Sequence, residues 1–516
     1  MNHRIKLVFS PSFEGVQYVI PYGMCQLNTV LLKKGYDVAI DDLQLRIKEI
    51  NMSRHHIRFD VNLPYITKLM LTDGDRLHAY LVGKYQDNEL TSILDKIIGL
   101  IFDKDYDIIG FSVFSTYSLI FSLLVSKRLK EVRKCRIIIG GPCIHKPLAD
   151  FIFTRYNFID HIVVGFGARV ICDVIDLINK RRIWSDFKIS KQLIFPTYAH
   201  LGKKYVMDID GQLKNVLVAK TSSGCNQGCR FCSEYLFKRR YFYYNLGDVV
   251  QQMNMLHSAY GAEHFLLEDN AINLDYANLD KFCILLIRNK QQFTWEVFAK
   301  AKNLDSGLLL KMKKAGCTKL YFGIESGSQK ILDAMNKGID ISEVKNILIS
   351  CSRAQIKSCC SFIVGYPLEA WDDFMETVEF IRKNSGFIHD ISAYPFMLHG
   401  ESSSYCQRLF GTDKLKVSSY DNCKDGLFMR LNWVSKYSIG SQTSDLISEK
   451  NQKEIGILQK TAFDHFYRKE YPILKYTPYS AFKYLFYKNK MYSHPLINYM
   501  LIKSFASPFM KHNIRR

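Results

Sequence analysis

Thr221-Ser222-Ser223-Gly224-Cys225-Asn226-Gln227-Gly228-Cys229-Arg230-Phe231-Cys232 decides how the rest of the chain is read. Its three cysteines follow the spacing C-x3-C-x2-C. Gly224 and Gly228 let the backbone wrap inward, so three thiolates can face one centre. The apolar run Val216-Leu217-Val218-Ala219-Lys220 leads in and predicts a strand. The cysteine loop then lies at a strand's C-terminal end, where α/β folds place their chemistry. Zinc would require a fourth protein ligand, and no obvious residue is spaced to supply it. Three thiolates instead suit a [4Fe–4S] cluster with one iron left open for a substrate or cofactor.

This spacing, with the aromatic Phe231 just before the last cysteine, resembles the signature of the radical S-adenosylmethionine (SAM) enzymes. The resemblance covers 216–397. Tyr321-Phe322-Gly323-Ile324-Glu325-Ser326-Gly327-Ser328 is followed by Ile331-Leu332, Met335 and Lys337-Gly338. This looks like the form found in the branch that includes methylthiotransferases and cobalamin-type enzymes, as does Phe362-Ile363-Val364-Gly365-Tyr366-Pro367 with Glu369 behind it. The resemblance implies that Cys225, Cys229 and Cys232 hold the cluster and that SAM chelates its open iron. It implies reductive cleavage of SAM to a 5′-deoxyadenosyl radical that abstracts hydrogen. By the same analogy Glu268 and Asp269 hold the SAM ammonium, and Glu325 and Ser326 lie near its ribose and methionine part. Gly365 admits the adenine, and Phe231 is adjacent to it. An electron donor such as flavodoxin or ferredoxin is expected as a partner. Carboxylates suit an ammonium and hydroxyls, and glycine suits close backbone contact.

The chain has 516 residues, enough for two or three domains, with 47% hydrophobic and 23% charged residues, which are globular values. Met1-Asn2-His3-Arg4 runs straight into the strand-like Ile5–Phe9, with no signal-peptide pattern. No charge-free apolar run is long enough to span a bilayer. The 14 cysteines form no paired framework, so a reducing cytoplasm is expected. The net charge of +20 fits an acidic partner or an anionic surface, or a Lys- and Ile-rich composition with no such meaning.

Residues 1–185 alternate strands and helices. Strands are predicted at Lys6–Ser10, Tyr36–Ile40, Asp107–Ser112, Arg136–Ile139 and His161–Val164, with helices at Gln26–Lys34 and Leu119–Val132. Such alternation implies a Rossmann-like, doubly wound parallel sheet. Segment 43–100 is a mostly helical insertion. Gly35-Tyr36-Asp37-Val38, Ile109-Gly110-Phe111-Ser112, Ile139-Gly140-Gly141-Pro142 and Asp160–Gly167 resemble the cobalamin-binding domain that precedes the barrel in one radical SAM class. Gly165-Phe166-Gly167-Ala168 lacks that family's two acidic positions, and its Asp-x-His-x-x-Gly signature is absent. The resemblance implies a cobalamin crevice at Ser112, Ser115, Gly140 and Gly141. The alternative is a Rossmann-like domain that holds no cofactor.

Residues 186–215 read as a connector with a turn at Asp208–Gly211. Six βα units over 216–397 predict a partial (β/α)6 barrel whose strand ends share one mouth. Its strands after the first are expected at Phe265–Asn270, Phe293–Ala299, Lys319–Ile324, Ser358–Val364 and Asp390–Phe396, with Ser342 capping a helix over Ser342–Gln355. Residues 398–516 read as a mainly helical, basic region. From Tyr471 it has no Asp or Glu and interleaves aromatics with lysines. It is expected to cap the barrel, with peripheral contact to an anionic membrane surface as the second possibility; nucleic acid is not expected. The resulting expectation is a cobalamin-dependent radical SAM C-methyltransferase acting on a small molecule, lipid or peptide. The alternatives are a cobalamin-free radical cyclisation or rearrangement, and a methylthiotransferase-like enzyme.

Overall fold

The computed structural model describes residues 3–11, 20–46, 65–66, 69–70, 73–142, 144, 146–177, 183–187, 193–199, 205–232, 241–364, 366 and 369–395. Two compact units divide between Tyr205 and Val206. The basic region 398–516 lies outside the described residues, as does most of 43–72.

The first unit is a six-stranded sheet of β1 (Arg4–Phe9), β2 (Asp37–Asp42), β3 (Ile108–Ser112), β4 (Arg136–Gly140), β5 (His161–Gly165) and β6 (Ile183–Phe187). The order is β2-β1-β3-β4-β5-β6, and every pairing is parallel. Ile137, Ile138 and Ile139 are all buried, as expected of strands covered on both faces. The insertion contributes helices at Gly74–Leu81 and Asn88–Ile101, and the second of these buries Leu90, Ile93, Leu94, Ile97, Ile98 and Ile101. β6 was not anticipated, and part of the expected connector packs against this unit. The Thr197 amide donates to Thr29 Oγ1 at 2.8 Å, and the Tyr205 hydroxyl donates to Asp42 Oδ2 at 2.8 Å.

This strand order reverses direction between β1 and β3. In open α/β sheets that reversal is where ligands settle, outside the strands' C-terminal ends. Phe9 and Ser112 end the two strands side by side.

The second unit holds β7 (Val206–Ile209), β8 (Gln212–Ala219), a short hairpin of β9 (Ser222–Ser223) and β10 (Phe242–Tyr243), then β11 (His264–Leu267), β12 (Thr294–Ala299), β13 (Cys317–Glu325), β14 (Lys357–Val364) and β15 (Asp390–Pro395). The main sheet runs β15-β14-β13-β12-β11-β8-β7 and curls into a half barrel. Six strands are parallel; β7 is antiparallel to β8 across the turn at Asp210 and Gly211, both at positive φ. That pair of left-handed residues is the signature of a type I′ hairpin turn. Helices cover one face of the sheet. In β12, Trp295, Val297 and Ala299 are buried toward them, and the Trp295 indole donates to Ala315 O at 2.7 Å. Glu296 and Phe298 therefore point to the other, concave face, because strand side chains alternate. Asp275, Asp305 and Asp340 cap the helices at Tyr276–Arg288, Ser306–Lys314 and Ile341–Arg353. Asp340, not Ser342, is the last of these caps; its carboxylate accepts the Ser342 amide at 2.8 Å.

Candidate active site

Cys225, Cys229 and Cys232 follow β9 on a loop whose Gly224 (φ 82°) and Gly228 (φ 72°) both adopt left-handed backbone. The loop is clamped by residues 334–338, which follow the helix Gln329–Ala334. The Arg230 amide donates to Met335 O at 2.9 Å, and its guanidinium donates to Ala334 O at 3.0 Å. The Asn336 side chain donates to Gly228 O at 3.0 Å. Lys300, just past β12, donates to the Gln227 side chain. Sequence reasoning missed this clamp, since nothing in the spacing shows that a segment a hundred residues away holds the loop.

None of the three is held in a disulfide. Burial pushes the Cys229 thiol up to about 11, the Lys337 ammonium pulls it down, and Cys232 and Cys225 raise it. These three sulfurs are thus electrostatic neighbours. Among the described residues no three His, Cys, Asp or Glu side chains are gathered as ligands of one metal ion. A cubane cluster does not require that, since each of its cysteines bonds a separate iron.

Glu325 closes β13 in a left-handed conformation (φ 73°), which a non-glycine residue adopts only under constraint. Its carboxylate is buried and accepts Lys337 Nζ at 2.7 Å. The same ammonium lies 5.5 Å above the Phe231 ring. Lys337 thereby ties Glu325 to the residue that precedes Cys232. Ser326 is fully buried; its hydroxyl accepts the Ser328 amide at 3.1 Å and stands 3.2 Å from Thr377 Oγ1.

Asp269 does not face a ligand, contrary to expectation. It is 1% exposed, and its carboxylate accepts the Thr221 amide at 3.0 Å, the Thr221 hydroxyl at 2.7 Å and the Ser222 hydroxyl. It braces the chain entering the cysteine loop, and its donors are already supplied. Glu268, on the opposite side of the strand, is exposed at the barrel rim. Gly365 lies outside the described residues.

In the first unit, Ser112 is half-buried at the end of β3. The Ser115 hydroxyl caps the helix Thr116–Val132, accepting the Ser118 amide at 3.2 Å. A Cβ on Gly140 would touch Val163, and one on Gly141 (φ 125°) would collide with the carbonyl of Val113. The chain itself thus explains three of the four residues expected at the crevice, leaving Ser112 at the β1/β3 reversal.

Residues 220–381 match the model of the Radical SAM superfamily. The cysteine loop and most of the half barrel lie within this match, and the chain carries a Radical SAM domain. It resembles an uncharacterized methyltransferase of Pyrococcus horikoshii, 24% identical over 351 residues, 62% of this chain and 75% of that protein. A tRNA-2-methylthio-N(6)-dimethylallyladenosine synthase of Ehrlichia ruminantium is 23% identical over 367 residues, 65% of this chain and 76% of that one. The fold is shared with the radical SAM methyltransferase TsrM from Kitasatospora setae, solved with cobalamin and a [4Fe–4S] cluster (TM-score 0.53, 14% identity, 77% of this chain and 72% of that one). It is shared too with the cobalamin-dependent SAM radical enzyme OxsB, solved with aqua-cobalamin and SAM (TM-score 0.54, 15% identity, 98% and 75%).

The donor set fits the cofactors this class carries. Cys225, Cys229 and Cys232 would hold a [4Fe–4S] cluster, with Phe231, Glu325 and Lys337 beside it and Glu268 at the rim for SAM. Bound there, cluster and SAM supply reductive cleavage and an organic radical. This chain's own residues fix the loop, and Lys337 brings a positive charge beside it.

Proposed function

We propose that the enzyme transfers a methyl group to an unactivated carbon with the help of cobalamin. One observation carries this reading: an all-parallel sheet in the order β2-β1-β3-β4-β5-β6 precedes the radical SAM half barrel. TsrM and OxsB, which share the fold, have been solved with cobalamin bound. The β1/β3 reversal beside Ser112 supports the reading, because open α/β sheets take ligands at such a point. The adenosyl radical would take hydrogen from the substrate carbon, and a methyl group carried by cobalamin would replace it. Flavodoxin or ferredoxin would deliver the electrons. A methylthiotransferase reading would need a second cysteine triplet in the first unit. Cys25 and Cys135 instead lie apart, one in the helix Tyr22–Lys33 and one just before β4. Among the described residues no helix is long and apolar enough to cross a membrane; the cytoplasm is the proposed compartment.

The test is anoxic purification from cells supplied with cobalamin. Wild-type protein should carry cobalamin, and Ser112→Trp should lose it while keeping its iron and cleaving SAM to 5′-deoxyadenosine. If the wild type carries none and turnover is indifferent to added cobalamin, methylation falls and radical cyclisation or rearrangement takes its place.

A further inference from the structure

The concave face of the half barrel carries an aromatic pair that the cofactor residues do not use. Phe298 is 54% exposed, although its neighbours Val297 and Ala299 are buried against the helices. It pairs in register with Tyr321, their ring centroids 5.2 Å apart and tilted by 36°. Tyr321 is fixed from below. Its hydroxyl donates to Glu296 Oε1 at 2.8 Å, and Lys319 Nζ lies 5.7 Å from its ring centroid. Glu296 is held in turn by Lys319 at 3.3 Å and His264 at 3.4 Å. With its hydroxyl engaged, Tyr321 offers the concavity its ring.

The pair also lies on the strand that leads to the cysteine loop. Two residues beyond Phe298 along β12, roughly 7 Å of strand, Lys300 bonds to Gln227 of the cysteine loop. Phe298 thus stands two residues before the lysine that reaches that loop. The buried outer residues of β12 already serve the core, so an exposed phenylalanine here adds nothing to it. An alkyl chain needs only aliphatic walls. Ring faces select a flat partner, through offset stacking or edge contacts.

We infer that Phe298 and Tyr321 form the substrate subsite, which takes a flat conjugated ring against Phe298 beside the cysteine loop. This rests on the radical SAM class and not on the cobalamin reading, so loss of either leaves the other standing.

Saturation-transfer NMR on the full, cluster-reconstituted chain tests it, with indole as a flat probe and cyclohexanol as a puckered one of similar size. Indole should bind in preference to cyclohexanol. Phe298→Leu should weaken indole by about threefold to tenfold, the worth of one aromatic pair, with iron content and circular dichroism unchanged. Phe298→Tyr, which keeps a ring, should restore the preference. Equal saturation of the two probes overturns the inference, as does undiminished indole binding in Phe298→Leu. Failure of indole to bind the wild type overturns it equally.

Discussion

Replacing Glu296 with Gln probes the charged floor beneath the aromatic pair. The Glu296 side chain is 8% exposed. Burial opposes its ionisation, yet His264, Lys319 and the Tyr321 hydroxyl outweigh it and hold the carboxyl down to about 2, against an ordinary value of 4.5. The folded-state pKa is depressed, so the group stabilises the fold above the ordinary value. That contribution is lost as pH falls from about 4.5 toward about 2. The two values differ by about 2.5, worth roughly 3 kcal/mol at neutral pH. Glu296→Gln should therefore be about 3 kcal/mol less stable at pH 7, with Lys319 and His264 left facing a neutral amide. The gap should close by roughly 1 kcal/mol between pH 5 and 3.5. Urea unfolding of both proteins across this range, followed by tryptophan fluorescence, measures it; the adjacent Trp295 is wholly buried. A gap of constant size from pH 7 to 3.5 would refute the electrostatic argument and assign the loss to packing. No gap at all would refute the network.

Replacing Cys225, Cys229 and Cys232 together with Ala should remove the cluster, taking iron from about four per chain to none after anaerobic reconstitution and ending SAM cleavage; wild-type iron and 5′-deoxyadenosine yield in that variant would sink the assignment. Glu325→Ala should weaken SAM binding about tenfold or more by isothermal titration, because it removes a carboxylate beside the cofactor and leaves the Lys337 ammonium unpaired, while the cluster absorption persists. An unchanged SAM affinity would mean that Glu325 does not serve SAM.

The cysteine loop was legible because its ligands are local: three thiols and two glycines within a few residues of one another. The parallel strands were legible because buried runs such as Ile137–Ile139 are apolar on both faces. β6 was not, since Ile183-Trp184-Ser185-Asp186-Phe187 mixes polar and apolar residues and follows no long helix signal. Asp269 was misread, although the strand's own alternation held the answer. Phe265 and Leu267 are buried toward the helices, so Asp269, two residues on, continues their side and Glu268 the concave one. The Glu325–Lys337 pair was beyond reach, because it forms only when the helix Gln329–Ala334 folds the chain back over the loop.

Glycine at a strand end does not separate a ligand from the chain's own packing. Gly141 read as room for a large cofactor, but a Cβ there would strike Val113, so this residue must be glycine whether or not anything binds. Gly323 makes the complementary case. A Cβ there would meet the Glu325 carboxylate and would lie 2.9 Å from Lys337 Nζ, so the missing side chain is what lets the ion pair cross β13. The same residue type thus closes a backbone contact in the first unit and opens space for charge in the second. The case for cobalamin then rests on the order of the strands and the reversal at Ser112. The case for the cluster rests on thiols that have no comparable task in the core. For that reason Ser112→Trp, at a residue the fold does not otherwise require, is a cleaner probe of the first unit than any change at Gly141.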